Sequence, residues 1–305
     1  NVSAIAVTKT NVVLAGTDQG INICSISGNK KTIAVIGPGQ GLPDYIVTSI
    51  ESAGNDLFWV GMQDKGFCLY DHLTKKIKTT AAINGWNHGQ INSMIVDDNT
   101  LWIATQLHGL LKYNIRTDSI STVKETGEFL SIKNLLKDNQ GNIWLTSPEW
   151  GLIRTPGETL KLFPLTDPPI FEHIHTILSD KEGNIWVNDE DNRIVKYSLK
   201  NGIYLPHKIT LNGLTEKTDI TSLYLDEFGN IWIGTMGKGI YILDPKTEKY
   251  RVFTENEVFK NASVLSINGR HNSIFASSLQ GVMVVTVSEI NKNIAVPYRF
   301  KNYNN

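Results

Sequence analysis

Apolar residues come in short runs along this chain, rich in β-branched and aromatic side chains, and each run is closed by Gly, Asp, Asn or Pro. The stretch ITSLYLDEFGNIWIGTMGKGIYILDPKTEKYRVFT at 220–254 shows the arrangement most plainly. Runs of this kind at hairpin spacing read as β-strands, and no apolar stripe of helical period interrupts them over a useful length. The spacing predicts four strands there, at 220–225, 230–235, 239–243 and 248–253. Ile231, Trp232 and Ile233, and likewise Ile240, Tyr241 and Ile242, put apolar side chains on both faces of their strands. A sheet built this way has to be covered on both sides.

The pattern recurs through the whole chain. GNIWIGT at 229–235 returns as GNIWLTS at 141–147 and GNIWVND at 183–189, and more loosely as NTLWIAT at 99–105, DLFWVGM at 56–62, NVVLAGT at 11–17 and NSIFASS at 272–278. The landmark residues are Leu14, Trp59, Trp102, Trp144, Trp186, Trp232 and Phe275, at successive steps of 45, 43, 42, 42, 46 and 43 residues. A period near 40–50 with four strands per repeat is that of propeller blades. The prediction is an all-β, single-domain, seven-bladed β-propeller of four-stranded antiparallel blades, at approximately 1–44, 45–88, 89–129, 130–171, 172–217, 218–261 and 262–305. The first strand is expected at 2–7 and the last at 294–300, with no strand swapped between the termini. Turns such as Asp138-Asn139-Gln140-Gly141, Asp180-Lys181-Glu182-Gly183 and Asp226-Glu227-Phe228-Gly229 set the register, with Asp opening a type I turn and Gly closing it in the left-handed region.

The motif Asp-x-x-Gly-Asn-Ile-Trp-Ile-Gly-Thr, followed by Gly, an aromatic and Asp-Pro-x-Thr, resembles the two-component regulator propeller repeat. Residues 226–247 match it nearly throughout, 138–155 and 180–197 match its first half, and 97–117 match with Asp-Asn at the turn. The resemblance implies a periplasmic sensor module of a bacterial hybrid two-component system. It also implies an oligosaccharide ligand, a histidine kinase and further domains of the same sensor chain as partners, and no cofactor. Members usually carry a second propeller, a small immunoglobulin-like domain, a membrane helix and kinase parts, none of which is read here.

Composition narrows the classes. With 29 basic and 30 acidic residues, the chain has no bulk electrostatic reason to seek nucleic acid or an anionic membrane. Cys24 and Cys68 are too few for a disulfide framework. No run approaches a membrane span, and Asn1 does not open a signal sequence. Gly37-Pro38-Gly39-Gln40-Gly41 leads into Leu42-Pro43-Asp44 rather than a helix, so it does not read as a phosphate-binding loop. His173-x-His175 lacks a third metal ligand, and Asp189-Glu190-Asp191 reads as a solvated acidic loop rather than a cation site.

In a four-stranded up-and-down blade the loops between second and third strands share one end with the crossovers between blades. That end varies from repeat to repeat, as expected of a ligand-reading surface on a regular scaffold. Tyr45, Trp86, His88, His108, Glu149, Trp150, His173, Arg193 and Lys238 are the candidate ligand-binding residues. Aromatic faces beside amides and charges suit a saccharide, and Trp86 and Trp150 stand outside the repeated Trp position. The repeated tryptophans themselves read as blade packing. Asn92, Lys133, His175 and Thr221 share one phase of the first strand, where they either line a central hole or hold structural water. No nucleophile elbow, HExxH helix or Walker loop is present, so the segment does not read as an enzyme. A propeller enzyme similar to the streptogramin-type lyases, a protein-interaction scaffold, and a homodimer stay open alternatives.

Overall fold

The computed structural model describes residues 2–27, 30–80, 83–87, 89–126, 131–155, 161–163, 174–189, 191, 193–214, 219–253, 263–270, 273–278, 281–286 and 299–303. The protein is a β-propeller by its sheets: every sheet is four-stranded, antiparallel and made of four consecutive strands. The chain divides into two compact units, Asn1–Leu135 and Leu136–Asn305.

In the first unit one sheet is formed by β1 (Val2–Val7), β2 (Val13–Thr17), β3 (Gly20–Ser27) and β4 (Lys30–Ile36). The next contains β5 (Val47–Gly54), β6 (Leu57–Met62), β7 (Phe67–Asp71) and β8 (Lys76–Thr79), and the third β9 (Ile91–Asp97), β10 (Thr100–Thr105), β11 (Leu110–Asn114) and β12 (Ser119–Thr122). First strands pack side by side, β1 on β5 and β5 on β9. The side chain that shares one repeat phase of these strands ties neighbours together. Ser3 Oγ donates to the Val47 carbonyl, and Asn92 Nδ2 donates to the Ile132 carbonyl at 2.7 Å. Apolar faces close between sheets, with Leu14, Ile21 and Ile36 meeting Val47, Phe58 and Val60, and Trp59 and Phe67 meeting Ile91, Leu101 and Tyr113.

The second unit continues with β13 (Asn134–Lys137), β14 (Ile143–Ser147), β15 (Gly151–Thr155) and β16 (Lys161–Phe163), where the first strand begins just before the boundary. It then adds β17 (Ile177–Ser179), β18 (Ile185–Asn188), β19 (Ile194–Lys200) and β20 (Ile203–Ile209), followed by β21 (Ile220–Leu225), β22 (Ile231–Thr235), β23 (Ile240–Leu243) and β24 (Tyr250–Phe253). The last sheet is β25 (Val264–Arg270), β26 (Ser273–Ser278), β27 (Gly281–Thr286) and β28 (Arg299–Tyr303). Thr221 Oγ1 repeats the tie between first strands, donating to the Val264 carbonyl at 2.6 Å. Asn92 and Thr221 are thus blade-to-blade fasteners. The final strand predicted at 294–300 is observed at Arg299–Tyr303, and 294–298 lie outside the described residues.

The Asp of each D-x-x-G turn organises its hairpin. Asp138 Oδ1 accepts the backbone N–H groups of Gln140 and Asn142, while Oδ2 accepts Asn142 Nδ2 and, at 2.7 Å, Trp144 Nε1. Asp180 repeats the pattern with Trp186, and Asp226 does so with Asn230 and Trp232. Each carboxylate therefore closes the turn and satisfies a buried indole in one step. The landmark residues Leu14, Trp59, Trp102, Trp144, Trp186, Trp232 and Phe275 are all buried, as blade packing requires.

Candidate functional site

The loops joining second and third strands are built on a repeated clamp. Thr105 Oγ1 donates to the Gly109 carbonyl at 2.9 Å and accepts the His108 N–H, and Thr235 does the same for Gly239 and Lys238. The residue after the second strand then reaches back to the crossover before the first. Gln63 N–H donates to Ile46 O, Gln106 N–H to Gln90 O, and Met236 N–H to Asp219 O. In these three sheets a backbone hydrogen bond ties the loop to the crossover, and the residues at the loop tip differ.

In the first unit Tyr45 projects from the β4–β5 crossover and is 62% exposed. Its backbone is pinned by Asp44, whose Oδ1 accepts the Tyr45 N–H and whose Oδ2 accepts the Asp64 N–H of the adjoining loop. Trp86 is only half exposed. Its Nε1 donates to Gly89 O at 2.9 Å, and its ring stands edge-on to Phe67 at 5.9 Å. It also covers Gly66, where a Cβ would come within 2.9 Å of the indole and where φ is +72°. Leu107, 55% exposed, lies over Gly89, with half-buried His108 beside it in the loop. Trp86 therefore ties the loop between β6 and β7 to the crossover that leads into β9. Its packing role was not visible in the sequence, because it falls outside the repeat. His88 lies outside the described residues.

In the second unit Trp150 is 49% exposed at the residue before the loop-closing Gly151. At the corresponding place four other loops carry Gln19, Lys65, His108 and Lys238. Ser147 replaces the clamp Thr, holding Glu149 Oε2 at 2.8 Å and accepting the N–H groups of Glu149 and Trp150. Arg193 is occupied. Its Nε meets Asp189 Oδ2 at 2.8 Å and its Nη2 meets Asp191. Lys208 also approaches Asp189, at 3.5 Å, so this buried carboxylate is a loop anchor rather than part of a solvated acidic loop. Asn188 Oδ1 takes the backbone N–H groups of His175 and Thr176 in the same blade. Glu149, Trp150, Arg193 and Lys238 lie in three different loops, and among the described residues no hydrogen bond or ion pair joins one loop to another through them. Met236, beside Lys238, adds an exposed apolar group that the sequence reading passed over. His173 lies outside the described residues. Among the described residues no group of three or more His, Cys, Asp or Glu is placed to hold a metal ion.

Residues 213–237 match the family described as two component regulator propeller, overlapping the motif at 226–247. No curated protein matches the chain. Among solved structures it is similar to the extracellular domain of a hybrid two-component system from B. thetaiotaomicron, with a TM-score of 0.72 and 17% identity over 92% of this chain and 39% of that one. It is also similar to PorZ, a surface component of the type-IX secretion system of Porphyromonas gingivalis, with a TM-score of 0.69 and 14% identity over 91% of this chain and 45% of that one. The WD40 propeller domain of Doa1 has a TM-score of 0.71 and 12% identity, over 95% and 93% of the two chains. The chain therefore spans less than half the length of the first two, and at these identities the likeness shows the propeller fold alone. Among the described residues no helix is long and apolar enough to cross a membrane.

Proposed function

We propose that this propeller, which carries a two-component regulator repeat at 213–237, is the extracytoplasmic ligand-sensing module of a bacterial hybrid two-component system. It recognises an oligosaccharide on the end formed by the clamped loops and crossovers, without cleaving it, and passes the signal through further domains of its chain to a kinase. Trp150 carries this reading. It is a large, half-exposed aromatic on a loop whose backbone bonds to Ser147 and whose counterparts end in polar residues. Blade packing does not account for it, and an exposed indole face beside a carboxylate is suited to the apolar face and hydroxyls of a sugar ring.

Calorimetry with a panel of oligosaccharide fragments tests it, with mass spectrometry of the same mixtures. Saturable binding of an unchanged fragment is expected, and Trp150→Ala should weaken it by about 1–2 kcal/mol. Cleavage of a fragment would transfer the protein to the enzymes, and binding of none would sink the saccharide reading. Closure of the sheets into one seven-bladed ring belongs to the same proposal. It predicts that deleting 220–261 yields a poorly folded product, because a blade buries its faces only against its neighbours.

A further inference from the structure

Opposite the landmark residue the first strands of five sheets carry Ala6, Ile95, Leu178, Tyr224 and Asn268, but in β5 the residue paired with Trp59 is Glu51. The carboxylate accepts the backbone N–H of Val96 on β9, so it lies in the seam between the second and third sheets. No cation faces it from the strands packed around it. β1, β2 and β6 carry no charged or titratable side chain, β5 carries none besides Glu51, and β9 contributes only Asp97 at its end. Tyr113, also in this cluster, gives its hydroxyl to Asp118. Burial pushes the Glu51 carboxyl up to about 7, against the opposing pull of the Val96 N–H.

A continuous file of rings leaves this seam. Trp59 stands edge-on to Phe67 at 5.8 Å, and Phe67 stands edge-on to Trp86 at 5.9 Å, which brings the file to the loop platform. Trp59 Nε1 is itself buried with no hydrogen-bond partner among the described residues, so a change of charge across the ladder meets an uncommitted donor. We propose that Glu51 is a proton switch in the seam between the second and third sheets, whose charge state is transmitted through Trp59 and Phe67 to the position of Trp86. In the neutral state the seam is closed and Trp86 sits on Gly66 as observed. Ionisation draws polar groups or water toward Glu51, loosens the Trp59 contact and shifts Trp86. As regulation of saccharide binding this rests on the function proposed above, since Trp86 then borders the ligand end. Reciprocity follows: a ligand that favours one position of Trp86 must shift proton affinity at Glu51.

The test uses the whole chain and no saccharide, so its failure is separable from failure of the ligand reading. Indole N–H signals are followed by NMR from pH 5 to 9, with Trp59 and Trp86 assigned from Trp→Phe variants, in a background where His88 and His108 are replaced by Gln. Both signals should move with one common midpoint, and Glu51→Gln should flatten both curves. Phe67→Leu should leave the Trp59 response and diminish that of Trp86. A stationary Trp86 while Trp59 titrates would overturn the coupling. Unchanged titration in Glu51→Gln, or no titration of the Glu51 carboxyl carbon in the unsubstituted chain over that range, would overturn the switch itself.

Discussion

Trp186 Nε1 donates to Asp180 Oδ2 at 2.8 Å across six residues of a hairpin, while Lys196 Nζ lies 5.1 Å from the centre of the same indole. One ring thus has its polar edge satisfied by the turn and its face covered by the third strand. The pairing varies by blade in a way that sorts the tryptophans. Trp144 has Asp138 and Arg154, Trp232 has Asp226 but Ile242 opposite, and Trp102 has Lys112 at 4.6 Å but no carboxylate. Trp59 Nε1 has no acceptor among the described residues, and Leu69 and Glu51 stand opposite it on the neighbouring strands.

Loss of the turn carboxylate should be costly where an indole depends on it. Asp180→Ala strands a buried Trp186 Nε1 and two backbone N–H groups of the turn, so a loss of about 2–4 kcal/mol in unfolding free energy is expected. Denaturant unfolding measures it, and a loss below about 1 kcal/mol would contradict the role given to Asp180.

The same chemistry predicts a split among Trp→Phe variants. Trp102 Nε1 and Trp59 Nε1 are buried with no partner among the described residues, so removing those nitrogens gives back a desolvation cost while the ring is largely kept. Trp144→Phe instead abandons a buried Asp138 oxygen. Trp144→Phe should be less stable than Trp102→Phe by about 1–3 kcal/mol, which parallel melts can compare directly.

Stability should also depend on pH through Glu51. Its carboxyl is raised to about 7 in the folded chain from an ordinary 4.5, so the folded state keeps a proton that the unfolded chain has released. The contribution of the neutral form is therefore complete below about 4.5 and is lost as pH rises through 7. Relative to Glu51→Gln, the unsubstituted chain should weaken between pH 5 and 8 by roughly 2–3 kcal/mol. Parallel pH profiles for the two proteins would refute this.

The repeat was legible because the fold writes similar demands into successive blades: a buried landmark residue in the second strand and, in the three blades with a D-x-x-G turn, an Asp that closes the turn and a Gly in the left-handed region. The strands predicted at 220–225 and 2–7 coincide with β21 and β1 for that reason. The loop end was legible only as a place. Arg193 looked available because its partners Asp189 and Asp191 read as a solvated loop, and only the folded hairpin brings the carboxylates onto its guanidinium. Glu51 was hidden differently. Nothing marks it as unusual until the register sets it opposite Trp59.

Trp86 and Trp150, alike in sequence as tryptophans outside the repeat, should behave differently. Trp150→Ala removes a half-exposed ring and keeps the backbone N–H that donates to Ser147 Oγ, so stability should change by no more than about 0.5 kcal/mol. Trp86→Ala removes the lid over Gly66, the edge contact with Phe67 and the tie to Gly89 O, and should cost about 1–3 kcal/mol. Gly66→Ala approaches the same contact from below. The added methyl would stand 2.9 Å from the indole and 3.0 Å from Ile83, at a backbone φ of +72° that disfavours any side chain. The ring cannot swing off Gly66 on its own without disturbing the Trp86 to Gly89 bond, so this variant should be destabilised and should show a displaced Trp86 indole N–H signal. Indole spectra and melts of the three variants decide the matter: an unshifted Trp86 signal and an unchanged melt in Gly66→Ala would mean that Trp86 does not pack on Gly66 and is a free surface aromatic after all.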